Sequence, residues 1–169
     1  MRAALARELP NVGGGSALLS LADHLEREDA ETLVLLLLRD RHCTKCRAQT
    51  RRVADRHGAF AARGAAVAAV LPNPADAIEG WAGGRDLPFP LLADPEATAG
   101  EAFDQPMRFG ALGRIHDFVG RMPEALVIDA GGDDPAVAWS HEGTSFGDRP
   151  SIDEMLAVVE HVAAGEAEA

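Results

Sequence analysis

The spacing of apolar positions changes several times along the chain, and each change marks an element. Thr32 to Leu38 is a continuous apolar run, too short to span a membrane and the right length for a buried strand. From Cys43 to Arg63 the spacing lengthens. Cys46, Thr50, Val53, His57 and Phe60 recur at alternating four- and three-residue steps, which predicts one helix with a core-facing stripe, ended by Gly64. His57 on that stripe reads as a packed, hydrogen-bonded histidine rather than a catalytic base. Ala65 to Leu71 is a second strand, rich in Ala and Val and stopped by Pro72-Asn73-Pro74.

Further along, a helix is predicted from about Ala75 to Gly83, an extended piece over Leu87 to Pro95, and a helix from Glu96 to Phe103. Residues 104–122 read as a glycine-punctuated connection. Glu124 to Ala130 and Ala136 to His141 are strands joined by the hairpin signal Gly131-Gly132-Asp133-Asp134. Ser151 and Glu154 form a capping box that opens the last helix, whose stripe of Ile152, Met155, Leu156, Val159 and Val162 faces the sheet. At the other end, Leu9 to Ser16 is turn-rich and predicts a hairpin or loop before a short helix around Leu19 to Arg27. The order of these elements describes an α/β sandwich, a central mixed β-sheet flanked by helices, in a single domain spanning residues 1–169. Trp81, Trp139 and Phe89 read as packing residues.

Bulk composition adds exclusions. A chain of 169 residues with 47% hydrophobic and 25% charged residues fits a soluble globular protein able to bury a core without disulfide staples. Met1 to Pro10 is mixed and charged, unlike a signal peptide, so a cytoplasmic protein without membrane attachment is expected. The net charge of -11 argues against nucleic acid as a partner. That charge is unevenly spread. Residues 39–56 hold seven cations (Arg39, Arg41, Lys45, Arg47, Arg51, Arg52, Arg56) against Asp40 and Asp55, a local +5 that leaves -16 elsewhere.

Inside this basic stretch lie the only two cysteines, Cys43-Thr44-Lys45-Cys46, on the turn between the first long strand and its helix. At a helix N-terminus Cys43 meets unpaired backbone N–H groups and the positive end of the helix dipole, which favour thiolate over thiol. Cys46, one turn on, can reach back to close a disulfide. Arg39, Arg41 and Lys45, the chain's single lysine, are the neighbours whose positive charge would lower the Cys43 pKa, and His42 would add to the effect when protonated. This is the pattern of a redox dithiol. In a cytosolic setting an isolated Cys-x-x-Cys is more often redox-active than structural.

Four segments in order carry a family resemblance: Leu9 to Gly15, Leu38 to Arg47 around the dithiol, Leu87 to Pro95, and Pro123 to Asp129. The chain resembles the peroxiredoxin-like proteins of the alkyl hydroperoxide reductase and thiol-specific antioxidant family, within the thioredoxin superfamily. The resemblance implies a thioredoxin-like fold, no external cofactor beyond the Cys43–Cys46 disulfide, and peroxide reduction with Cys43 as nucleophile and Cys46 as resolving cysteine. It also implies a thioredoxin-like reductant and leaves a homodimer open. Three departures bear on mechanism. Asp40 stands where the family carries a threonine, and Pro123 where it carries an arginine, as in thioredoxins, in which that proline forms a cis bond facing the dithiol. Arg121, two residues earlier, is then the candidate to replace the missing cation. His42 replaces the tryptophan that precedes a thioredoxin dithiol.

Two other classes compete. One is thioredoxin-type exchange with protein disulfides, in which a cis Pro123 would offer backbone to an extended peptide. The other is a non-catalytic or zinc-binding module, with Cys43 and Cys46 supplying half of a site. Zinc would need two of His42, His57, His116, His141 and His161, which show no paired spacing. The expectation is therefore an antioxidant thiol oxidoreductase, with peroxide as leading substrate.

Overall fold

The apolar run becomes the middle of the sheet. A computed structural model describes residues 1–108 and 120–165, so His116 and most of the connection expected over 104–122 lie outside the described residues. Strand β3 (Thr32–Leu37) is buried along its whole length and has helices on both faces, which is why it reads as continuous rather than alternating apolar sequence. Leu33, Leu35 and Leu37 pack with Leu21 and Leu25 of α2 (Leu21–Glu28) and with Phe103. Val34 and Leu36 pack on the other side against Cys46 and Val53 of α3 (Thr44–Asp55) and against Met155, Leu156 and Val159 of α7 (Ile152–Ala163). Truncating one of these leucines to alanine costs about 2–5 kcal/mol, from lost transfer energy plus the cavity left behind.

The remaining described elements are α1 (Arg2–Leu5), β1 (Leu9–Pro10), β2 (Leu18–Leu19), α4 (His57–Ala61), β4 (Ala65–Leu71), α5 (Ala75–Ile78), β5 (Leu91–Ala93), α6 (Thr98–Ala102), β6 (Glu124–Asp129) and β7 (Ala136–Glu142). The five-stranded sheet has the order β5-β4-β3-β6-β7. β3 pairs parallel with β4 and antiparallel with β6, and β7 pairs antiparallel with β6, so the sheet is mixed as expected. The small β1–β2 hairpin is tied to β5 by Asn11, whose Oδ1 accepts from the Gly13 and Leu91 amides. Gly13 and Gly14 are required there: a Cβ on either would collide with backbone of residues 87–91.

Three expectations need correction. The helix predicted over Cys43 to Arg63 is two helices, α3 and α4, broken at Arg56 with φ -110 and ψ 11. The apolar stripe carries across the break because Phe60 stays fully buried, and periodicity reports the buried face rather than backbone continuity. The helix predicted from Ala75 to Gly83 stops at Ile78. It gives way to 3-10 turns over Trp81–Asp86, in which Ala82, Gly83 and Gly84 have positive φ. The helix predicted over Glu96 to Phe103 is the shorter α6. At the C-terminus Ser151 caps α7, accepting from the Glu154 amide. Trp81 and Phe89 are buried, and Trp139 packs half-buried against the core. Among the described residues no helix is long and apolar enough to cross a membrane.

Candidate active site

The dithiol sits where β3 runs out. After Leu38 the chain turns through Asp40-Arg41-His42-Cys43, closed by a bond from the Cys43 amide to the Asp40 carbonyl (3.2 Å). The Asp40 carboxylate accepts from the His42 amide at 2.7 Å and lies 3.8 Å from Arg39. The residue that departs from the family pattern is therefore what shapes the turn, as short polar side chains do when they bond backbone two residues on. Cys43 is the N-cap of α3, and its sulfur accepts from the Cys46 amide at 3.1 Å. Cys43 and Cys46 are joined by a disulfide with their Cα atoms 5.3 Å apart. Both sulfurs are recessed: Cys43 is 6% exposed and Cys46 0%.

One side chain reaches both sulfurs, and the sequence reading missed it. Arg149 Nη2 lies 3.0 Å from Cys46 Sγ and 3.3 Å from Cys43 Sγ. Its other nitrogens are held by the Gln49 side-chain oxygen (3.1 Å) and the Phe146 carbonyl (2.6 Å). Arg149 is carried by the segment between β7 and α7. There Asp148 accepts from the Thr144 amide (2.8 Å) and hydroxyl (2.7 Å) and pairs with His141 at 3.0 Å. Those bonds hold the Asp148 carboxyl down at about 2. Burial, then Arg39 and Arg52, lower the Arg149 pKa to about 10, which keeps it protonated at neutral pH. A fixed cation of this kind stabilises a thiolate and anionic charge developing beside it.

Arg39 stacks on Phe146 with its guanidinium carbon 3.7 Å from the ring centre, and its Nε donates to the Arg121 carbonyl at 2.8 Å. Arg41 and Lys45 are exposed, and among the described residues neither bonds a cysteine sulfur. His42 is exposed and accepts from Arg41 Nε at 3.0 Å. Arg121 is buried, but its guanidinium turns toward α6, donating to the Gln105 side-chain oxygen at 3.0 Å. A side chain on Gly100 of α6 would collide with it. Pro123 is buried, and no peptide bond among the described residues is cis, so the conditional cis geometry at Pro123 does not occur. Among the described residues no cluster of three or more His, Cys, Asp or Glu could hold a metal.

The AhpC/TSA family model matches residues 2–133, most of the chain and all of the dithiol turn. The protein belongs to the AhpC/TSA family. No curated protein matches it. Among solved structures the AhpC/TSA chain is similar to peroxiredoxin Q of Xanthomonas campestris, with TM-score 0.69 and 15% identity over 99% of this chain and 96% of that one. It is also similar to PrxQ of Xylella fastidiosa (TM-score 0.70, 15% identity, 98% and 94% covered) and to the reduced 2-Cys peroxiredoxin of Plasmodium vivax (TM-score 0.72, 14% identity, 96% and 94% covered). These likenesses establish the thioredoxin-like peroxiredoxin fold. Arg149 lies beyond the stretch the family model matches.

No motif marks Arg149 in Gly147-Asp148-Arg149-Pro150. The one available signal is its position, two residues ahead of the cap of a helix whose apolar stripe must dock beside Cys46.

Proposed function

We propose that this AhpC/TSA protein is a thiol-dependent antioxidant oxidoreductase that reduces hydroperoxides, with Cys43 as nucleophile, Cys46 as resolving cysteine and Arg149 as the fixed cation. The observation that carries this reading is the Arg149 guanidinium bridging both sulfurs of a dithiol placed at a helix N-terminus. In the reduced enzyme the Cys43 thiolate attacks one peroxide oxygen. An S–O bond forms as the O–O bond breaks, and the departing oxygen takes a proton from solvent to leave as an alcohol or water. Cys43 becomes a sulfenic acid. The Cys46 sulfur then displaces the hydroxyl as water, and the disulfide closes. Positive charge at the site lowers the cost of both the thiolate and the anionic leaving oxygen.

Arg39 backs the cation through Phe146, and Asp40 sets the turn. We assign Arg121 to bracing, since Gln105, its partner, also donates to the Leu37 and Met122 carbonyls at 3.2 and 2.8 Å. Pro123 contributes packing against Gly143, Arg41 and Lys45 add long-range positive charge, and His42 positions the Arg41 guanidinium by accepting from its Nε. Exchange with protein disulfides is the less favoured reading, because the chain matches the AhpC/TSA family and the solved structures it is similar to are peroxiredoxins. The cycle needs no bound cofactor and is reset by a thioredoxin-type dithiol in the cytoplasm. The outer strand β7 offers an edge on which two copies could pair.

The test is chemical trapping. One equivalent of hydrogen peroxide given to reduced Cys46→Ser protein in the presence of dimedone should label Cys43 alone. The unaltered protein should instead form the Cys43–Cys46 disulfide with no label. Absence of label on Cys43 in that variant, or a dimedone label forming as readily on Cys46 of reduced Cys43→Ser protein, would remove or reverse the assigned roles.

A further inference from the structure

The recessed disulfide raises the question of what reaches it. Attack must come at Cys43, because Cys46 is fully buried. Around that cysteine the surface of α3 is unlike the rest of the molecule. Arg41, Lys45, Arg47, Arg51 and Arg52 are all exposed, on a chain whose charge outside residues 39–56 is -16. Among the described residues, no acidic side chain makes a salt bridge with any of these five, although Arg7, Arg56 and Arg63 are each paired with a carboxylate. Their helical positions place Lys45 and Arg52 on one flank of α3 and Arg47 and Arg51 on the other, with the small side chains of Thr44 and Ala48 between. Trp81 fixes the second flank: its indole N–H donates to the Arg41 carbonyl at 2.8 Å, and the Arg47 guanidinium lies 5.5 Å from its ring centre.

We infer that this cationic collar is the docking face for an acidic protein dithiol that reduces the Cys43–Cys46 disulfide. The inference rests on the reading of that disulfide as the turnover intermediate. A protein partner fits better than a small anion because α3 is about 18 Å long and its cations run over most of that length. A single carboxylate or phosphate would engage one or two of them. Cations that form no ion pair among the described residues serve recognition rather than stability, since exposed charges contribute little to folding. An acidic partner is repelled by the body of this protein at long range, so the local positive face selects one docking orientation, with the partner's thiolate over Cys43. That thiolate attacks Cys43 Sγ, a mixed disulfide forms, and Cys46 leaves as a thiolate beside Arg149. The partner's second thiolate then displaces Cys43. The partner leaves oxidised by two electrons, and both cysteines here are reduced.

The experiment measures reduction of the protein after its disulfide has been formed with diamide, so it does not depend on peroxide chemistry. The reductants are an acidic thioredoxin and the small dithiol dithiothreitol. Arg47→Glu/Arg51→Glu should slow reduction by the thioredoxin at least tenfold, within the range that electrostatic steering supplies. The matching Gln/Gln variant should fall between, and the rate with dithiothreitol, which attacks as a small monothiolate without an acidic docking surface, should change by no more than about threefold across all forms. Added salt should narrow the difference between the Glu variant and the unaltered protein. Equal thioredoxin rates in all forms would overturn the proposal, as would an equal loss with dithiothreitol. A protein that passes this test yet fails to consume hydrogen peroxide would retain the docking face and lose only the peroxide reading.

Discussion

Two arginine–glutamine pairs flank the end of the sheet near the dithiol, and they do different work. On the α3 side Arg149 is held by Gln49 and points at two sulfurs. On the α6 side Arg121 is held by Gln105 and faces a cavity of about 570 Å³ lined by Gly100, Asp104 and Met107 among others, while Gln105 ties the end of β3 to Met122. Arg121 is buried and Arg149 half-buried, and both bond a glutamine oxygen. Proximity in sequence to the late strand favours Arg121, yet the cation that reaches the cysteines comes from the far end of the chain. An arginine's chemistry is set by what its fork is aimed at, and that depends on the segment that carries it.

Removing each arginine in turn separates their roles. Arg149→Ala should lower the rate of peroxide reduction by about 10²–10³-fold, the usual cost of removing one fixed donor from a site of developing negative charge. Arg149→Lys should recover part of the loss, because a point charge keeps the attraction but loses the bridging fork. Arg121→Ala should behave in the opposite way, destabilising the fold by about 1–3 kcal/mol through an unpaired buried Gln105. Its rate with peroxide should stay within about threefold, because its guanidinium donates to Gln105 while Arg149 is the cation at the sulfurs. Stopped-flow rates and denaturant unfolding of both variants decide the matter, and a stability loss without a rate loss in Arg149→Ala would reverse the assignment.

A second contrast concerns pH. On the α6 side Glu124 is 5% exposed, and its Oε2 has no hydrogen-bond partner among the described residues. Burial first, then Glu142 and Asp104, raise its pKa from 4.5 to about 7. A carboxyl whose folded pKa exceeds its unfolded value leaves stability intact below the unfolded pKa and erodes it as pH climbs through the folded one. Stability should therefore fall between pH 4.5 and about 7 on account of this group. Glu124→Gln should remove that fall and be more stable at pH 8 by up to about 3 kcal/mol, with no difference near pH 4. Melting curves across that range measure it; a constant offset at every pH would contradict the account. The smallest rate loss among the site variants is expected from Gln49→Ala, which loosens Arg149 without removing it: about three- to tenfold, because the cation stays and loses one of the bonds that orient it.

Much of this organisation is legible in the sequence, for identifiable reasons. β3 and β4 are buried on both faces, so apolar content alone marks them, and the Ser151 cap is a local signal that needs no tertiary context. The dithiol turn reads from its own residues because Asp40, Cys43 and Cys46 bond within four residues of one another. What escapes is long-range or irregular. The break at Arg56 leaves the apolar stripe unbroken, and the turns at Trp81–Asp86 depend on Ala82 accepting a positive φ beside two glycines. Arg121 precedes the β6 ladder and is held by a bridge to Met107, so strand alternation does not set its direction. Arg149 lies 103 residues from Cys46, and only packing of α7 on the sheet brings them together.

The central claim is that Cys43 is a peroxide-attacking thiolate poised by Arg149, and the most direct measurement is the second-order rate at which fully reduced protein consumes stoichiometric hydrogen peroxide, with Cys43→Ser alongside. The account predicts a rate far above that of an ordinary thiolate, lost entirely in the serine variant. A rate no better than an ordinary thiolate would contradict it and leave a dithiol suited only to disulfide exchange.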